Sequence, residues 1–208
     1  MSLPTETSPK HCANKGFHLK SLRLNKKLLY TLIPTLLLVL LLLYFIRHPS
    51  KPQFYLQSTT ISNLSLSSPL LLLLNSTVQA TLLSKNPNKN FGVYYDDVRA
   101  YAIYKGQQIT GDCFLPSFYQ EHEELNVLSA SMFGTGMPVA ASVGFELGRD
   151  QVAGRFVLSV RVDGLLRWRV GGWTSGKYRF DVDCLAVVGL RQGVMGSVQG
   201  SSACSTNV

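Results

Sequence analysis

The run from Leu28 to Ile46, LLYTLIPTLLLVLLLLYFI, is nineteen residues long and carries no charge. As a helix it would rise about 28 Å, at 1.5 Å per residue, which matches the hydrocarbon core of a bilayer. It exceeds the apolar core of a signal peptide, and the chain continues RHPSKPQF with no small-residue cleavage site. The expectation is therefore an uncleaved single-pass anchor. Pro34 falls near the expected start of that helix, where a lost amide donor is least costly, and membrane helices tolerate proline. Six bases precede the run (Lys10, Lys15, Lys20, Arg23, Lys26 and Lys27) and two follow closely, Arg47 and Lys51. From this asymmetry residues 1–27 are expected to be a disordered tail on the cytosolic side, with everything past the anchor outside.

The same count accounts for the net charge of +8: residues 1–27 hold six bases and one acid, leaving fourteen bases and eleven acids for the remainder. A nucleic-acid protein would concentrate its charge on the folded part, so that class is excluded. Lys20, Arg23, Lys26 and Lys27 lie nearest the inner leaflet and are expected to attract anionic lipid. Two sequons follow the anchor, Asn63-Leu64-Ser65 and Asn75-Ser76-Thr77, and fit a glycosylated secretory-side domain. Cys113, Cys184 and Cys204 would then face an oxidising compartment; Cys184 with Cys204 is the preferred pair, leaving Cys113 free or buried. Cys12 falls on the cytosolic side, where a plain thiol is expected.

Beyond residue 50 the chain alternates with period two in FYLQSTTISNLSL, LNSTVQATLL, GVYYDDVRAYAIY, RFVLSVRVDGLLRWRV and KYRFDVDCLAVV. In the second of these, Leu74, Ser76, Val78, Ala80 and Leu82 fall on one face and Asn75, Thr77, Gln79 and Thr81 on the other. Turn signals separate the runs at Asn86-Pro87-Asn88, Lys105-Gly106-Gln107, Gly134-Thr135-Gly136 and Gly171-Gly172. Proline fixes its own φ and biases Asn86 away from helix, so Asn86-Pro87-Asn88 reads as a corner between strands. One segment, Pro138 to Asp150, spaces Val139, Val143 and Leu147 by four and suits a short helix. The expected organisation is a cytosolic tail (1–27), a transmembrane helix (28–46), a linker (47–54), an all-β antiparallel sandwich (55–188) and a polar tail (189–208).

Apparent chemical motifs fail on context. GGWTSGKY approaches a phosphate loop, but Tyr178 replaces the Ser or Thr that would hold magnesium and the following residues alternate as a strand, so a hairpin turn is expected. In QEHEE, His122 lacks a ligand pair at metal spacing. Asp96-Asp97 and Asp181 with Asp183 read as surface hydrogen-bonding groups. No G-x-S-x-G elbow occurs, and His122 is the one histidine well inside the outer domain. A non-enzymatic protein without cofactor or metal is expected. Tyr94, Tyr95, Tyr101, Tyr104, Phe118 and Tyr119 should split between core and surface, and the surface members suit contact with a protein or glycan. Arg161, Arg167 and Arg169 recur at even spacing, a basic stripe able to meet acidic polymer or lipid headgroups.

The run NPNKNFGVYYDDVRAYAIYKGQQI, with PSFYQ at Pro116 to Gln120 and RWRVGGWTSGKYRFDVDC at Arg167 to Cys184, resembles the plant harpin-induced and non-race-specific-disease-resistance-like proteins. These carry a late-embryogenesis-abundant group two domain, also called the water-stress and hypersensitive-response domain. The resemblance covers roughly residues 20 to 207. It implies that Asn86, Pro87, Asn88, Tyr94, Tyr95, Asp96, Gly106, Gln107, Pro116, Phe118, Tyr119 and Gln120 are family motif positions. It further implies a seven-stranded sandwich of immunoglobulin or fibronectin type III shape, held at the plasma membrane, linked to defence and stress responses and lacking catalytic residues. The polar end RQGVMGSVQGSSACSTNV departs from members that exchange a hydrophobic tail for a glycolipid anchor. Two functions remain open: recognition of a protein or cell-wall partner, or a membrane-tethered protective module that binds apolar ligands or membrane surfaces without a specific partner. Association with itself or another chain is open as well.

Overall fold

Strict alternation in residues 74–83 buries one face and leaves the other outside: Leu74, Ser76, Val78, Ala80 and Leu82 are all buried. A computed structural model of the chain describes residues 26–66, 72–189 and 197–208. It divides into two units, residues 1–48 and 49–208.

The first unit contains α1 (Lys26–Arg47), whose side chains are described for residues 30–41. The helix begins before the apolar run, so Pro34 lies inside it and not near its start as expected. Nearby, the Thr35 hydroxyl donates to the carbonyls of Thr31 and Leu32, at 3.0 and 2.9 Å, the local back-bonding open to a helical threonine. Among the described residues, no helix is long and apolar enough to cross a membrane.

The second unit runs through β1 (Gln53–Leu66), β2 (Leu73–Lys85), β3 (Gly92–Tyr104), β4 (Gln107–Gln108), β5 (Cys113–Phe114), β6 (Phe118–Gln120), β7 (Leu125–Pro138), α2 (Ala141–Ala153), β8 (Arg155–Val170), β9 (Trp173–Thr174), β10 (Tyr178–Gly189), β11 (Ser197–Ala203) and β12 (Ser205–Asn207). One antiparallel sheet has the order β11-β1-β2-β7; the other has β12-β10-β8-β3-β4, with β5 and β6 also on β3 and β9 on β8. The sheets share one apolar interior, where Phe54 stacks on Phe180 at 6.1 Å and meets Tyr95 edge-on at 6.3 Å. The fold is all-β with one short helix in this unit. That helix, α2, buries Val143 and Leu147 as its fourfold spacing implied, with Val139 buried just before it.

Two expectations change. Gly134-Thr135-Gly136 does not separate strands; it lies within β7, beside the point where the β2–β7 register shifts. A side chain at Gly134 would come within 2.2 Å of the Ile109 carbonyl, so glycine there admits a neighbouring backbone instead of making a turn. The C-terminal residues, expected as a polar tail, form β11 against β1 and β12 against β10. Cys204 sits between those two strands and is disulfide-bonded to the buried Cys184, so the bond fastens a segment that touches both sheets. Cys113 is free and half-buried.

In β3, a bulge at Asp97, whose φ is +51°, shifts the register with β8 between Asp96 and Arg99. The extra residue restores the phase, so Tyr94, Asp96, Arg99 and Tyr101 all face outward while Tyr95, Val98, Ala100 and Tyr104 are buried. Gly164 faces this bulge: an added Cβ would lie 3.1 Å from the carbonyls of both Asp96 and Asp97 and 3.0 Å from Phe180. Gly164→Ala is expected to lower stability by about 1–3 kcal/mol in urea titration, because backbone carbonyls cannot move aside as a flexible side chain can. The Cys184–Cys204 bond joins positions 20 residues apart. Replacing both cysteines by serine is expected to remove about 3 kcal/mol and lower Tm, with added reductant then having no further effect.

Candidate functional site

Asn86 is fully buried and Asn88 nearly so, and an amide taken out of water must find partners. Asn86 donates through Nδ2 to the carbonyls of Phe91 (2.6 Å) and Glu121 (2.9 Å), and its Oδ1 accepts from the backbone and side-chain nitrogens of Asn88. Asn88 donates through Nδ2 to the Ser50 carbonyl at 2.8 Å and accepts from the Ser50 amide at 2.7 Å. The Asn86 amide itself donates to the Glu124 carbonyl. One corner thus joins the segment entering β1, the link between β2 and β3 and the turn at residues 121–124. Its side-chain amides are committed to structure.

Gln120 does the same one layer inside. Its Oε1 accepts from the hydroxyls of Ser84 (3.1 Å) and Tyr95 (3.2 Å), while Nε2 donates to the carbonyls of Ser84 and Glu124. Burial pushes the Tyr95 phenol well above its ordinary value, which keeps it a neutral donor. Phe118 stacks on Tyr95 at 4.5 Å, and exposed Pro116 leads into that strand. Gln107, after the Lys105–Gly106 turn, donates to the Pro138 carbonyl and accepts from the Ala140 amide, fixing the entry to α2. These family positions hold the fold together.

The outward face of β3, β8 and β10 is different. The arginines of β8 do lie on one face, but aspartates from three strands interleave with them, so the stripe is not uniformly basic. Arg161 reaches Asp183 at 3.4 Å, Arg167 reaches Asp96 at 2.9 Å, and Asp163, between them in sequence, takes a two-pronged bond from Arg99 at 2.7 and 3.0 Å. Asp96 and Asp183 therefore serve as surface ion-pair partners. Arg169 has no carboxylate within 4.0 Å among the described residues, and neither do Arg155 and Arg179, but Arg169 is held by other groups. Its Nη1 donates to the Tyr94 hydroxyl at 2.7 Å, Nε donates to the Gly171 carbonyl, and its guanidinium lies 5.5 Å from the Tyr119 ring centre. Tyr94 and Tyr119 are 4.4 Å apart, and Arg167 lies 5.3 Å from the Tyr94 ring. A pre-positioned guanidinium and two half-buried tyrosines form an exposed cluster able to meet an anionic or hydroxyl-bearing partner.

Other expected sites fall as follows. GGWTSGKY forms β9 and the approach to β10, a hairpin and not a helix start. QEHEE ends β6 and continues as an exposed turn, with His122 3.3 Å from Glu121. Among the described residues, no group of three His, Cys, Asp or Glu side chains could hold a metal ion. Asn63 is exposed on β1; Asn75, on the neighbouring β2, accepts the Gly136 amide at 2.8 Å. Lys20, Arg23 and Cys12 lie outside the described residues, as do the side chains of Lys26 and Lys27. Sequence reasoning missed the Arg99–Asp163 pair, for which the even spacing of Arg161, Asp163 and Arg167 was the available signal.

The late embryogenesis abundant protein family model matches residues 81–184, from the end of β2 to Cys184. Over all of both chains, the sequence is 45% identical to NDR1/HIN1-like protein 26 of Arabidopsis thaliana. The chain belongs to the NDR1/HIN1-like family. NDR1/HIN1-like protein 1 of Arabidopsis thaliana is 36% identical over 93% of each chain, and NDR1/HIN1-like protein 12 is 38% identical over 83% of this chain and 85% of that one. The matched family region thus contains Asn86 and Asn88 of the amide corner, Gln120 and the Arg–Tyr cluster, but neither Ser50 nor Cys204.

Substitutions should separate the two kinds of site in this NDR1/HIN1-like chain. Gln120→Ala is expected to cost about 3 kcal/mol in urea unfolding, because it strands buried hydrogen-bonding groups. Arg169→Ala should change stability by less than about 1 kcal/mol, as an exposed side chain outside any carboxylate pair.

Proposed function

We propose that this chain is a membrane-anchored, non-enzymatic recognition protein whose sandwich lies outside the plasma membrane and binds a protein or cell-wall partner in plant defence and stress response. Family membership supports the defence and stress assignment. The observation that carries the recognition reading is the exposed cluster of Tyr94, Tyr119 and Arg169, in which the guanidinium is held by a hydroxyl, a carbonyl and an aromatic ring. Buried amides elsewhere are consumed by architecture, whereas this guanidinium is held in place without a counter-charge among the described residues.

The uncharged run from Leu28 to Ile46 supports the anchor, and the excess of bases before it supports a cytosolic N-terminus. An immunoglobulin or fibronectin type III-like description is supported by strand order: β1, β2 and β7 adjoin in one sheet, and β3, β8 and β10 in the other. The basic tail would contact anionic lipid at the inner leaflet.

The test is to express the full chain in plant cells, label the intact surface with biotin and follow glycosidase-sensitive mobility in wild type, Asn63→Gln and Asn75→Gln. Surface labelling and a shift lost on mutation are the expected results; protection of the domain until permeabilisation, with no shift, would overturn the topology. Crosslinking in intact cells then tests recognition, with capture of a specific partner expected to fall in Arg169→Ala while surface abundance stays constant. Unchanged capture would remove the cluster from the function.

A further inference from the structure

The end of the sandwich that meets the anchor is fixed by chain length. Three residues, Arg47, His48 and Pro49, separate the apolar run from Ser50. At no more than about 3.6 Å per residue, they keep Ser50 within roughly 15 Å of the end of that run, whatever the angle between the two units. Ser50 is not a free tether point, because both its backbone amide and its carbonyl are bonded to the Asn88 side chain. If Leu28–Ile46 lies in the bilayer, the end of the sandwich carrying the amide corner stays within about that distance of the hydrocarbon edge.

Strand register identifies what else lies at that end. Gly92, the first residue of β3, pairs with Arg169 near the end of β8, and the turn past β8 projects beyond it to Trp173, which pairs with Val170. Trp173 is 62% exposed and Tyr178, opening β10, is 50% exposed. Lys51, Lys89, Arg169 and Lys177 are also exposed here, and none has a carboxylate partner within 4.0 Å among the described residues. The acids at this end, Glu121, Glu123 and Glu124, lie in the turn after β6, which pairs with the side of β3 away from β8. The end is therefore two-sided, with an acidic corner and a corner bearing Trp, Tyr and bases. Exposed tryptophan and tyrosine beside lysine and arginine suit the membrane interface, where the rings sit at headgroup level and the cations meet phosphate.

We infer that the β8–β10 corner, led by Trp173 with Lys177, rests in the phospholipid headgroup layer and gives the sandwich a second membrane contact. This rests on the anchor reading above. The two sequons fit the same placement: Asn63 is ten residues along β1 from Gln53, roughly 33 Å from this end at 3.3 Å per residue.

The experiment reconstitutes the full chain in phosphatidylcholine vesicles with a nitroxide on the headgroup and reads tryptophan emission. Trp168, 6% exposed, is the other tryptophan and serves as the internal reference. Quenching by the labelled lipid is expected in wild type, lost in Trp173→Phe and reduced in Lys177→Glu. Equal quenching in wild type and Trp173→Phe, on protein that floats with the vesicles and resists carbonate extraction, would overturn the inference and leave the anchor standing. Failure to float or to resist extraction would overturn the anchor reading, and this inference with it. Quenching of Trp173 by aqueous iodide but not by labelled lipid would show it turned to water or a protein partner, also overturning the contact.

Discussion

Taking Asn86, Asn88 and Gln120 out of water strips each amide of its hydration, a cost that is recovered only if every donor and acceptor is met. The partners come from places far apart in sequence: Ser50 before β1, Ser84 at the end of β2, Phe91 before β3, and the turn at residues 121–124. None of these segments can shift without leaving a buried polar group unpaired. The corner thereby sets how the two sheets start, and through Gly92 and Arg169 it sets the height at which the Arg–Tyr cluster is displayed.

The exposed sheet face follows a second rule. Cross-strand ion pairs between β3, β8 and β10 engage Arg99, Arg161 and Arg167, and such half-exposed pairs contribute little to stability while fixing side-chain positions. What they achieve is contrast. Beside these paired arginines, Arg169 is held by a hydroxyl, a carbonyl and an aromatic ring instead of a carboxylate.

Much of this was legible in the sequence where local pattern and tertiary environment agree. The alternation of β2 and the fourfold spacing of α2 each encode a buried stripe directly. In β7, Leu128, Ala130 and Met132 point in and alternate with Ser129 and Ser131, but Leu125, Val127 and Phe133 point outward, so the alternation marks only the middle of the strand. The segments β11 and β12 are polar and become strands because the sides of β1 and β10 offer unpaired backbone and Cys204 is fastened to Cys184. The Asn86-Pro87-Asn88 turn could be read from proline and asparagine chemistry, but its bonds to Ser50 and Glu121 depend on long-range placement. The arginine stripe was visible as a spacing; its neutralisation was not, since Asp96 lies 71 residues from Arg167.

β1 is flanked along its length by β2 on one side and, from Tyr55 to Thr60, by β11 on the other, and it begins three residues after Ser50. Tension entering the chain at Ser50 and resisted at the far end of the domain would act along β1, loading both hydrogen-bond ladders in shear, many bonds at once, instead of opening them one by one. The bond between Cys184 and Cys204 ties β11 back to the opposite sheet, so that load spreads into both layers. A sandwich loaded in this way resists a pull applied at its entry strand.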